Sequence, residues 1–227
     1  MDASGTPTGD PFAAHNRVWW QTLTVNRAEK LQIDHDLQTL DQVETRLQET
    51  DQLLSKLSVS DDWFQAASLL IQMPGVVMIT AMTILSAIGD ISRFDSAKKL
   101  VGYAGLGARV HASGQTYRTG GLTKQGRPEL RSTMITSAWR AVRYCDYWRN
   151  EFQRLAERRG RHRAIVAIAR RLLTSVWHIL SKQTDDRHVQ SDAVERTFTK
   201  WAYLNCNART LGLTGQQFVE RALAQIH

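Results

Sequence analysis

Ser113 is followed at once by Gly114, inside a stretch that is rich in glycine and arginine (residues 105–131, GLGARVHASGQTYRTGGLTKQGRPELR). Arg109, His111, Arg118, Lys124, Arg127 and Arg131 surround it in sequence, and Glu129 is the only carboxylate. A hydroxyl among cations and free backbone amides suits a phosphodiester: the cations neutralise phosphate oxygens, and amides in a glycine-rich loop can bind them. An ordinary basic loop with a turn serine has the same composition, so the residues alone leave both readings open. Neither a GxxxxGK[ST] phosphate loop nor an HExxH zinc motif occurs. The two cysteines, Cys145 and Cys206, are far apart and form no CxxC pair, which speaks against a zinc site or a disulfide framework and fits a reducing, cytoplasmic setting.

The charge is unevenly distributed. Residues 1–75 carry five Lys/Arg against eleven Asp/Glu, whereas residues 105–171 carry fifteen against four, within a chain whose net charge is +7. A basic region in an otherwise near-neutral protein is the footprint of a polyanionic partner, most simply nucleic acid. No apolar run approaches 18 residues, so no transmembrane helix and no membrane partner are expected, and the polar N-terminus lacks the apolar core of an export signal.

The elements that must position the serine read as mostly helical, with 227 residues enough to bury a real core. Residues 1–14 read as a disordered lead-in. Residues 15–60 read as a coiled-coil-like helix, since Ile33, Leu37, Leu40, Leu47, Leu54 and Leu57 follow a three/four spacing interrupted at Glu44 and Asp51. Trp19 and Trp20 near its start either pack on a core or mark a missing neighbour. Ser60 resembles an N-cap for a short helix to about Gln72. Pro74-Gly75 then breaks the chain before an almost wholly apolar helix to Ile88. Two short helices around a tight glycine turn describe either a helix-hairpin-helix holding a DNA phosphate or a buried helical corner. Asp95 or Ser96 caps the next short helix, which stops at Gly105. Val110 and Tyr117 alternate with polar residues, so the following segment is a Gly/Arg-rich loop or a small β-hairpin. Pro128 opens a helix to about Trp148, a further one ends at Gly160, and Ile165, Ile168, Ala169, Leu172, Val176, Ile179 and Leu180 mark the buried stripe of a long helix to about Lys182. Two modest helices, near 190–204 and 214–225, close a C-terminal extension over 184–227.

The order of these pieces resembles the C-terminal domain of the IS110/IS116 family of bacterial insertion-sequence transposases, some members of which are guided by a bridge RNA. The matching pieces are Met73-Pro74-Gly75, Ile88-Gly89-Asp90, Arg93-Phe94 before Ser96-Ala97-Lys98, and Tyr103-Ala104-Gly105-Leu106. They continue with Ser113-Gly114, the run Gly121-Leu122-Thr123-Lys124-Gln125-Gly126, and Leu130-Arg131. The likeness covers roughly residues 30–183, with 61–183 as the transposase-type domain. It implies that Ser113 attacks a DNA phosphodiester and forms a covalent phosphoserine intermediate, which conserves the bond energy for rejoining. It further implies phosphate binding by Arg118, Lys124 and Arg131, by Arg109 and His111 less directly, and by Arg127, which stands where the family usually has Asn. A dimer or tetramer is implied by strand exchange.

Complete family members begin with an α/β domain whose four acidic residues bind magnesium. Asp2, Asp10, Asp34 and Asp36 have neither strand context nor metal spacing, so no metal site is expected in this chain, and Mg2+ is expected only if an acidic domain acts in trans. Val76-Val77 follows Pro74-Gly75 where a second glycine is common. Three functions follow: a recombinase C-terminal half, a truncated binder of nucleic acid without catalysis, or a helical module whose basic face meets RNA or protein.

Overall fold

Asn26 interrupts what the periodicity reads as one helix from residue 15. The computed structural model describes residues 7–113, 116–122, 125–189, 191–204, 209 and 212–224, and the chain is mainly α-helical. Helix α1 spans Arg17–Thr22 and α2 spans Arg27–Ser58. The Asn26 side chain accepts from the amides of Ala28 and Glu29, both at 3.0 Å, while Glu29 accepts from the Asn26 amide at 3.1 Å. That reciprocal cap satisfies amides the first turn would leave open, an effect of about 1 kcal/mol. The Asn-x-x-Glu spacing was legible, but the unbroken absence of proline and glycine concealed it.

The chain divides into two compact units, Met1–Gln52 and Leu53–His227. In the first, α1 is tied along α2. The Arg17 guanidinium bonds to Asp41 and Glu44, and Lys30 Nζ donates to the Gln21 carbonyl at 2.8 Å. Of residues 1–14, Asp10, Pro11 and Phe12 make ordered contacts. The Phe12 amide donates to Asp10 at 2.9 Å, Trp20 Nε1 donates to the Pro11 carbonyl, and Phe12 stacks on Trp20 with Trp19 edge-on. Residues 1–6 of the expected lead-in lie outside the described residues. Along α2, Ile33, Leu37, Leu40 and Leu54 are half-buried, whereas Leu47 and Leu57 are exposed.

The second unit is organised on α8, Arg161–Lys182, which packs against α3 (Asp61–Ile71), α5 (Ala97–Tyr103), α6 (Pro128–Tyr144) and α7 (Asp146–Arg159). Every residue of its expected stripe is buried, joined by Ala164 and Leu173. Burying each Leu, Ile or Val contributes about 1.5–3 kcal/mol, so this face fixes the helix. Helix α8 is long and apolar enough to cross a membrane by length and composition, yet that stripe is core. The helix expected from Pro128 to Trp148 divides at Cys145, whose φ of −125° is extended; Ala141 and Trp148, on either side of the break, are both buried.

Helix α4, Met78–Ile88, follows the Pro74-Gly75 turn and packs on α3 and α6. Gly75 has φ +86°, and a Cβ there would overlap the Ser137 carbonyl and lie 2.7 Å from the Ala141 amide. The turn is thus pressed onto α6. A two-stranded antiparallel hairpin, β1 (Ala108–Ser113) and β2 (Thr116–Leu122), stands between α5 and α6. Helices α9 (Ser191–Leu204) and α10 (Gly215–Leu223) pack together, the latter opened by a Thr214/Gln217 capping box.

Candidate nucleic-acid interface

The hairpin is built by pairing Val110 with Thr119, His111 with Arg118, Ala112 with Tyr117 and Ser113 with Thr116. Strand residues alternate between faces with period two, and directly paired residues share a face. Register therefore sets Ser113, His111, Arg118 and Thr116 on one face of the ribbon and Val110, Ala112, Tyr117 and Thr119 on the other. Ser113 is the last residue of β1, next to the hairpin tip. One extra residue enters β2 between Thr119 and Leu122, where Gly120-Gly121 lies, and Arg109 stands opposite this bulge. Glycine tolerates the unpaired backbone a bulge creates. Lys124 and Gly114 lie outside the described residues.

The foot of the hairpin is a crossing of two backbones closed by glycine. Gly105 (φ +67°) and Gly126 (φ +133°) both adopt backbones that favour glycine, and they approach each other. A Cβ on Gly126 would lie 2.9 Å from the Gly105 amide, and one on Gly105 would lie 2.6 Å from Arg131 Nη1. No side chain fits either position. The Arg127 amide donates to the Tyr103 carbonyl at 3.0 Å, and Arg131 Nη1 reaches the Ala104 carbonyl at 3.4 Å. Two of the six expected cations, exposed Arg127 and half-buried Arg131, are thus brought together at the start of α6, where Pro128 occupies the first turn.

Tyr103, Arg93 and Arg170 complete the foot, and none was singled out as a site residue from sequence. Arg127 Nε donates to the Tyr103 hydroxyl at 2.9 Å, and that hydroxyl donates to the Ala87 carbonyl at 3.2 Å. The Arg127 bond, then the nearby Arg127 and Arg93 charges, hold the Tyr103 phenol below its usual range against the opposing effect of burial. The same bond raises Arg127. Arg93 lies over the Tyr103 and Phe94 rings, 5.0 Å from each centroid, a cation–π contact. Arg170 Nε donates to the Leu106 carbonyl at the entrance to β1. Burial, and then the neighbouring Arg159 charge, lower Arg170 from its ordinary value. Arg93 and Tyr103 sit 10 residues apart around a helix, a spacing with no site pattern of its own, and Arg170 is 64 residues from Leu106, so only folding joins them.

Acids near the foot are occupied locally: Asp95 pairs with Lys99, and Asp90 accepts from Ser92. Among the described residues no group of three or more His, Cys, Asp or Glu could hold a metal ion. What remains is a serine-bearing ribbon with His111 and Arg118 on the serine's face, rising from a foot that gathers Arg93, Arg127, Arg131 and Arg170.

Residues 67–154, which hold the hairpin and all of its foot except Arg170, match the model of the transposase IS116/IS110/IS902 family. The transposase for insertion sequence element IS1111A of Coxiella burnetii is 32% identical over 114 residues, covering 48% of this chain and 31% of that protein. The pilin gene-inverting protein of Moraxella bovis is 37% identical over 119 residues, covering 50% of this chain and 36% of that protein. Its counterpart in Moraxella lacunata is 36% identical with the same coverage. The chain spans about a third of the length of these curated relatives. Over residues 67–154, the chain is thus similar to transposases of the IS116/IS110/IS902 family.

Proposed function

We propose that the chain carries the serine-bearing C-terminal part of a DNA transposase or recombinase, which cleaves and rejoins strands through a phosphoserine at position 113. The observation that carries this reading is the hairpin register: within the family-matched segment, Ser113 shares a ribbon face with His111 and Arg118. Ser113 Oγ attacks the scissile phosphorus, its proton leaves to a base, and the departing sugar oxygen takes up a proton. The Ser–O–P ester retains the energy of the broken bond, so a second strand's hydroxyl displaces the serine by the reverse reaction. Arg109, Arg118 and Lys124, with Arg127 and Arg131 at the foot, hold the charge that develops on the phosphate oxygens. In this reading magnesium would be held by a separate acidic domain.

Strand exchange requires more than one copy, and exposed Leu47 and Leu57 on α2 support a homodimer or tetramer paired through that helix. A guide RNA and a place at the bacterial nucleoid belong to the same reading. The test uses a nicked duplex that traps the intermediate, with and without a relative's acidic domain added. A detergent-resistant protein–DNA adduct formed by the parent and lost in Ser113→Ala supports catalysis. Absence of an adduct under both conditions, or an adduct that survives Ser113→Ala, overturns it.

A further inference from the structure

The strongest basic cluster outside the hairpin lies at the corner between α7 and α8. Arg158, Arg159, Arg161, His162 and Arg163 occupy five of six consecutive positions around Gly160, and all five are exposed. Glu157 is the only carboxylate from residue 152 through 184. The nearest other acid, Glu151, is already paired with both Arg154 and Arg171. Gly160 turns the chain with φ +79°, and a Cβ there would meet nothing within 4 Å, so the corner's apex is open. Arg161 is held over the Phe152 ring, 5.9 Å from its centroid. The cluster lies on the side of the hairpin's foot: the Arg159 charge acts on Arg170, which donates to the Leu106 carbonyl two residues before β1.

Such crowding of like charge destabilises a free surface and becomes favourable when an anion enters. Guanidinium forks suit phosphate oxygens in pairs. From 157 to 163 the corner holds no Phe, Tyr or Trp, so it lacks the large aromatic platform on which unpaired bases stack best. Phosphates presented by a regular duplex fit it better than splayed single strands do.

We propose that the α7–α8 corner is a second nucleic-acid contact, which grips the phosphate backbone of duplex DNA flanking the segment at the hairpin, without reading sequence. It rests on the reading of this chain as acting on DNA, and it adds a surface that is separate from the serine. The full chain is titrated against a mixed-sequence DNA duplex three helical turns long, and against the matching RNA duplex, by fluorescence anisotropy across a salt series. The variant is the triple substitution Arg158→Gln, Arg161→Gln, Arg163→Gln; the control is Lys182→Gln with Arg187→Gln, and circular dichroism checks that both fold. Each lost phosphate contact lowers the salt slope by about 0.9, so the triple variant is expected to show a slope shallower by about 2–3 and binding at low salt at least about tenfold weaker. The control is expected to match the parent. Equal affinity and slope for triple variant and parent, or a loss confined to the RNA duplex, overturns the proposal. The two readings fail separately, because Ser113→Ala is expected to keep the parent's slope while losing the adduct. A corner that binds in a chain that never forms an adduct leaves this contact standing and removes the serine chemistry.

Discussion

Gly126 shows how much of the candidate site depends on a missing methyl group. Its φ of +133° brings its backbone against Tyr103 and Gly105, and the next residue is Arg127, whose guanidinium bonds to the Tyr103 hydroxyl. Gly126→Ala is expected to destabilise the chain by about 1–3 kcal/mol from backbone strain alone, read as a lower urea midpoint. Weaker DNA binding is expected to accompany it as Arg127 moves away. Gly107→Ala provides the contrast: its Cβ would meet only the Gly102 Cα at 4.0 Å, an ordinary contact, so little change is expected. Equal effects at both positions would mean that the foot is not closed by the Gly105/Gly126 crossing. Arg127 also illustrates a reading that folding refined. In sequence it is one more cation near a serine, whereas in the structure one of its nitrogens is committed to a phenol and its position is thereby held.

At the scale of elements, connections decide more than helices do. The Pro74-Gly75 turn has the composition of a phosphate-holding hairpin, but the close approach of Gly75 to α6 gives it a packing role. The connection from α8 to α9 contains Asp186, only 6% exposed, which accepts from the His188 amide at 3.3 Å. Burial raises its carboxyl above the ordinary range, opposed by the hydrogen bonds and charge of His188 and by the Arg187 amide. A raised folded pKa means that the protonated acid is favoured in the fold. Its contribution is therefore fully present below the unfolded pKa, about 3.9, and is lost as pH rises through the folded value. Asp186→Asn keeps an acceptor for His188 and removes the charge. The variant is expected to melt at a higher temperature than the parent at pH 7, with the difference vanishing near the unfolded pKa. A variant less stable at pH 7 would show that the ionised carboxylate is held by its surroundings.

Across the whole molecule, aromatic packing joins the C-terminal helices to α3 and the end of α2. Trp201 is 2% exposed, stacks on Phe198, meets Phe218 edge-on and Phe64 of α3 at 6.0 Å, and donates from Nε1 to Ser58 Oγ at 3.1 Å. Residues 184–227, read from sequence as an extension, thus share a hydrophobic cluster with the helices before the hairpin. Trp201→Ala is expected to cost about 3–5 kcal/mol, and Trp201→Phe much less, because it keeps most of the apolar volume. If α9 and α10 unfold separately from the rest, thermal melts of the alanine variant will show two transitions instead of one shifted transition.

Local periodicity and residue type carried the helical class, the α8 stripe, the Pro128 start, the Gly160 stop and the placing of charge, because these depend on neighbours three or four positions away. The motif order around Ser113-Gly114 pointed to the family by the same short-range logic. The breaks at Asn26 and Cys145 were harder to see, since a cap and a change of direction compete with a helical pattern that continues through them. Only the tertiary structure decided which cations meet at the hairpin foot, that Tyr103 and Arg170 belong there, and which way Gly75 faces. Those outcomes follow from contacts between segments tens of residues apart, and a packed core selects among such contacts by shape and burial, neither of which is encoded in the spacing of residues along the chain.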